Sequence, residues 1–190
     1  MPEMEANKHK IFLRKIRNDL EKSQEVFVRH FKEKYGKNHK YLPIWMAVEI
    51  MTFGQTLALF NGLEPKIKRE VAQNFKVPIP ILQSWLLALN TVRNICAHHA
   101  RLWNRILGNK PRIPKKQKYP QWHSPVKIQN DKIFCILMII KYILNIINPH
   151  NKWGFRLQSL LDRYDKIPLR EMGFPENWEQ CPIWLAPHND

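Results

Sequence analysis

Five side chains, Trp85, Leu89, Val92, Cys96 and Trp103, fall within an arc of roughly 60° when their stretch is wound at about 100° per residue. That stripe predicts one amphipathic helix over residues 81–107, closed by Gly108. At about 27 residues it would run ~40 Å and be the longest element of the chain. A helix of that kind buries one side against other helices. With only six glycines and several other long apolar-periodic segments, the whole chain reads as all-α, a helical bundle with one long helix and a Pro-rich basic loop.

The other segments fit that class. Phe12, Ile16, Leu20, Phe27 and Phe31 form one stripe over a first helix at 8–35, with Lys and Arg covering the rest. Pro43 opens a second, nearly continuous apolar helix that ends at Asn61-Gly62. Glu49 is the exception within it. A carboxylate on so apolar a helix either pairs in a structural ion pair or lines a site beside Arg93 or His98. A third short helix covers 64–75, and Pro78 and Pro80 precede the long helix. Asp131 caps a further helix to about 147, and another spans 153–164. Residues 8–165 are thus expected to form the bundle of a single 190-residue domain. Residues 166–190, with Trp178 and Trp184, are expected to strap irregularly over it.

An apolar content of 44% and an aromatic content of 11% indicate a folded chain. The net charge of +15 attracts polyanions, nucleic acid first and anionic membrane second. The apolar run 133–147 is about 15 residues, interrupted by Lys141 and Asn145, and falls short of the ~20 needed to span a bilayer. Residues 1–10 lack the apolar core of a signal peptide. Cys96, Cys135 and Cys181 are widely spaced and odd in number, which suits free thiols in a reducing cytoplasm.

The polar side of the long helix carries the chemistry. Opposite the apolar stripe lie Asn90, Asn94, His98, Arg101 and Arg105, with Arg93 on the flank. His99, at the edge of the apolar arc, reads as a buried imidazole with a supporting role. His98 shares its face with Asn94 and Arg101, and that company favours a functional imidazole able to give or take a proton near neutrality. Neighbouring guanidinium groups hold phosphate and neutralise charge developing on it. Residues 109–130 then interleave Lys110, Arg112, Lys115, Lys116, Lys118 and Lys127 with Tyr119, Trp122 and His123. Cations among aromatics suit single-stranded RNA, with Trp122 as a stacking platform; a solvated basic loop with anchoring aromatics is the plainer reading. No metal-ligand set, phosphate-binding glycine loop, dinucleotide fingerprint or GxSxG is present. Cys96 faces inward on the wheel and is disfavoured as a nucleophile. Metal-independent acid–base chemistry remains, with no cofactor called for.

The string Arg93-Asn94-x-x-x-His98 resembles the Arg-x4–6-His motif of HEPN ribonucleases. The longer string 93–105 is similar to the signature of Abi-like (AbiD/AbiF type) abortive-infection proteins. The resemblance extends to residues 30–35, to 42–49, to Phe53-Gly54, and to Gly173-Phe174-Pro175 with Trp178, or roughly residues 25–185. Abi-like proteins usually carry a further helical region ahead of this part, so the chain is expected to be either a compact variant or a truncated copy whose bundle a partner completes. The resemblance implies a HEPN-like bundle that cleaves RNA in bacteriophage defence, leaving 2′,3′-cyclic phosphate and 5′-OH ends. By the same resemblance, His98 is general base or acid, Arg93 binds the scissile phosphate and Asn94 orients His98 or a phosphate oxygen. Arg101 and Arg105 then steer RNA. HEPN relatives work as pairs, which implies a homodimer through this helix and an antitoxin, RNA or protein, as a further partner. The wheel adds its own constraint. Arg93 and His98 stand about 140° apart around one axis, so two helices meeting across a two-fold would complete each other's sites. A non-catalytic RNA-binding or toxin–antitoxin interaction module is the alternative.

Overall fold

All regular structure among the described residues is helical, as expected from the sequence. The structure is a computed structural model and describes residues 6–185. It divides into two compact units between Glu70 and Val71.

In the first unit the single helix expected over 8–35 is two helices, α1 (Ala6–Lys22) and α2 (Val26–Tyr35). Ser23 explains the break. Its hydroxyl accepts from the Glu25 amide at 3.3 Å, and Glu25 takes an extended conformation as the N-cap of α2. A short hydroxyl side chain thereby offers the backbone an alternative to helix. The helix expected over 43–61 also divides, into α3 (Ile44–Ile50) and α4 (Phe53–Gly62). Thr52 starts α4 with a capping box, Thr52 bonding the Gln55 amide while the Gln55 side chain bonds the Thr52 amide. Two orphan donors are satisfied at once, a local gain that outweighs continuing the apolar helix through Met51. The Gln55 side-chain amide also donates to the Asp19 carboxylate of α1. Leu20, Val28, Phe31, Leu42 and Ala47 form the core of this unit, with Met46 and Ile50 packed on it. Glu49, placed by the sequence on a buried helix, is exposed, so its charge stays in water and requires no internal partner. Helix α5 (Pro65–Asn74) follows and contains the boundary between the units.

The second unit is built on α6 (Ile79–Ala97) and α7 (Ile133–Ile147). Leu82, Trp85, Ala88 and Val92 are the buried positions of α6, and most of the first half of α7 is buried. The helix expected over 81–107 is 19 residues long, and Cys96 and Trp103, expected in the core, are exposed. Asp131, expected to cap α7, leaves that position to Lys132. It forms an ion pair of 3.0 Å with Lys110 instead. Trp85, Trp122 and Tyr142 pack as a triad with ring centroids 5.0–5.5 Å apart.

After α8 (Trp153–Arg163) the chain forms two 3₁₀ turns and the four-residue α9 (Pro182–Leu185). This segment is less a strap than a core element. Phe174, Trp178 and Trp184 pack around Phe134 of α7 at centroid distances of 4.6–6.4 Å. Gly173 makes the approach possible. Its φ is +84°, and a Cβ there would run into the Lys132 side chain. Residues 186–190 lie outside the described part. Among the described residues no helix is long and apolar enough to cross a membrane.

Candidate functional site

The proposed site sits at the C-terminal end of α6, not midway along a longer helix. His98 is the C-cap, with φ −94° and ψ 16°. His99 follows with φ +53°. The His99 amide donates to the Cys96 carbonyl and the Ala100 amide to the Ile95 carbonyl, both at 3.0 Å. Together they form a Schellman closure, with a histidine at the left-handed position usually held by glycine. Asparagine, aspartate and histidine are the residues that tolerate this region best. The apolar stripe could not reveal this ending, because Trp103 stays in phase with Trp85 whether or not the chain between them is helical.

The ending rearranges the expected polar face. Arg93 and Asn94 remain on the last turns of α6, both exposed, and the Arg93 Nη1 donates to the Asn94 Oδ1 at 3.1 Å. The His98 amide donates to the Asn94 carbonyl at 3.0 Å. Asn94 thus contacts both through neighbouring atoms: its side chain holds the guanidinium and its carbonyl anchors the backbone of His98. Arg101 and Arg105 are exposed but lie past the helix, so they no longer share a stripe with Asn94. His99, read from the sequence as a core imidazole, is exposed. Cations beside this helix end are favoured by the partial negative charge of its carbonyls. The same field repels phosphate, so anion binding here rests on side-chain charge alone.

Residues 109–130 fold back along α6. The Asn109 side-chain amide donates to the Thr91 hydroxyl at 2.8 Å. The Arg112 amide donates to the Ser84 hydroxyl at 3.0 Å, and the Trp85 indole N–H donates to the Arg112 carbonyl at 2.9 Å. Lys115, Lys116 and Lys118 are exposed. Lys110 is engaged by Asp131, and this hydrogen bond and charge hold the Asp131 carboxyl below its ordinary pKa. Trp122 is the clear correction to the sequence reading. It is 1% exposed, and a ring packed against Trp85 and Tyr142 inside the fold presents no face to a base. Its indole N–H is buried without a hydrogen-bond partner. Trp103, given to the core by the sequence pattern, is 39% exposed.

Glu49 belongs to the first unit, and no ion pair of the described residues involves it. No group of three or more His, Cys, Asp or Glu among the described residues is arranged to hold a metal ion. Cys135 is buried, and burial pushes its thiol up to about 12.

Fold and site together define an all-helical protein whose histidine–asparagine–arginine cluster ends a helix at the surface. The family described as Abi-like protein matches residues 2–104, more than half of the 190-residue chain, and the chain belongs to that family. The match takes in α1 to α6 and closes just after the cluster. It leaves out the basic loop and the Gly173-Phe174-Pro175 segment. No curated protein and no solved structure matches the chain.

Proposed function

We propose that this chain is a metal-independent endoribonuclease of the HEPN type, acting in abortive infection against bacteriophage through Arg93, Asn94 and His98. The observation that carries the reading is the exposed end of α6, where Asn94 holds the Arg93 guanidinium at 3.1 Å and bonds the backbone of His98. In the reaction the RNA 2′-oxygen attacks the adjacent phosphorus in line as its proton passes to a general base. The bond to the 5′-oxygen breaks, and that oxygen takes a proton from a general acid. The products are a 2′,3′-cyclic phosphate and a 5′-OH end. His98 serves as one of the two proton-transfer groups, and Arg93 neutralises the charge that builds on the phosphoryl oxygens. Asn94 keeps the guanidinium extended along the helix surface. Arg101, Arg105, Lys115, Lys116 and Lys118 attract the strand, a contribution that falls as salt rises.

Acid and base act at opposite ends of an in-line displacement, and one His98 supplies only one of them. A second copy supplies the other. Arg93 and His98 diverge by about 140° around α6, which an isologous homodimer through this helix end accommodates. An antitoxin, RNA or protein, would silence the site by covering the same basic surface.

The test compares wild type, Arg93→Ala and His98→Ala on total RNA, reading fragment length and end chemistry. Loss of cleavage in both variants, with cyclic-phosphate ends in the wild type, is the expected result. Equal cleavage by His98→Ala sinks the assignment. RNA binding that weakens with salt but never shortens RNA, in wild type as in His98→Ala, points instead to a non-catalytic RNA-binding module.

A further inference from the structure

Five residues past His98 the chain exposes Trp103 on the wall of a cavity of about 690 Å³. Tyr164, Pro168 and Met172 line it with Trp103, and Arg163 and Lys166 also border it. Tyr164 is 53% exposed. Neither Trp103 nor Tyr164 stacks on another aromatic ring among the described residues. Two partly exposed aromatic side chains therefore border an apolar cavity, next to two cations.

We infer that this cavity receives an unpaired nucleobase of the RNA strand on which the Arg93–Asn94–His98 site acts, an inference that rests on the ribonuclease reading. A base needs an apolar slot and an aromatic face to stack on, while the phosphates flanking it need cations outside that slot. Trp103 and Tyr164 supply the first, Arg163 and Lys166 the second. Asp165 also borders the cavity and supplies an acceptor for the N–H groups of a base edge. The size falls in the range of small-ligand pockets. Bases within a duplex are stacked shut and do not enter such a slot, so the cavity selects single strands. Five residues of chain reach at most about 17 Å, which puts the slot within a few nucleotides of the scissile bond. It also fills the role that the buried Trp122 does not.

The test measures binding of a short labelled single-stranded RNA to the His98→Ala protein, alone and with Trp103→Ala, Trp103→Phe or Tyr164→Ala added. An abasic ribose-phosphate strand of equal length and an RNA hairpin serve as further probes. Removing one stacking face weakens single-strand binding by about tenfold, leaves the abasic strand's affinity unchanged, and is largely rescued by Trp103→Phe. Tyr164→Ala gives the same pattern and decides the matter if Trp103→Ala fails to fold. Single-strand affinity unaltered by both truncations, or an equal loss for the abasic strand, overturns the proposal. So does a shift in sedimentation with RNA binding intact, which assigns the cavity to a contact between copies. Cleavage by the wild-type chain separates the two readings. A Trp103-dependent base contact without cleavage leaves the pocket standing and removes the nuclease, whereas cleavage unaffected by both truncations does the reverse.

Discussion

The amide of Ala100 donates to the carbonyl of Ile95 across 3.0 Å, and that bond sets where the motif helix stops. It requires His99 between them to adopt φ +53°, a conformation that costs a side chain with a Cβ about 1–2 kcal/mol. His99→Gly removes the penalty and keeps the turn, at the expense of some unfolded-state entropy. The expected result is a gain of about 1 kcal/mol, or roughly 2–4 °C in Tm for a chain of this size. His99→Val, β-branched at a left-handed position, is expected to lose more than that. Denaturant melts of the three proteins check both signs.

Trp122 and Trp85 differ in one hydrogen bond. Both are fully buried and packed against each other, but the Trp85 N–H has the Arg112 carbonyl and the Trp122 N–H has no partner. Trp122→Ala is expected to cost about 3–5 kcal/mol through the cavity it leaves. Trp122→Phe sheds an unsatisfied donor, whereas Trp85→Phe orphans a carbonyl, so the first should be the milder by about 1 kcal/mol. Equal losses in urea titration would remove the hydrogen-bond argument.

The thiols should separate by access. Cys96 is exposed, and Cys135 and Cys181 are buried with pKa values raised by desolvation, Cys135 to about 12. Maleimide at neutral pH is expected to modify Cys96 rapidly and the other two only after unfolding, as counted by intact mass. Fast labelling of Cys135 in the native protein would contradict its place in α7.

Lys141 is 1% exposed in α7, and burial lowers its pKa from the ordinary 10.5. A lysine whose folded pKa lies below its unfolded value destabilises the fold wherever it must carry its proton, that is, below the folded pKa. The penalty fades as pH rises from the folded pKa toward 10.5. Lys141→Met keeps the length of the side chain and should stabilise by about 1 kcal/mol at neutral pH. That advantage should shrink in alkaline solution. A gain that is constant between neutral and alkaline pH would mean the charge is not the cause.

The all-helical class and the register of the buried faces were legible in the sequence, because apolar side chains at helical spacing must find a common interior wherever they lie. Phe12, Ile16 and Leu20 on α1, Trp85 and Val92 on α6, and much of the apolar run of α7 are buried on this account. Legible too were Arg93 and Asn94 on a solvent-facing helix surface. The interruptions at Ser23–Glu25 and Met51–Thr52, and the end at His98, came from local polar bonds. A periodicity sums over several turns and does not register such bonds. The Thr52-x-x-Gln55 capping box was nonetheless written in the chain. The fate of the tryptophans was decided by tertiary structure alone. Trp122 lies within the basic segment and Trp103 just ahead of it, yet folding back along α6 presses Trp122 against Trp85 and Tyr142. The Schellman turn instead releases Trp103 from the apolar stripe to the surface. A ring's amphipathic character suits either a core or a base-stacking surface, and only the path of the backbone chooses between them.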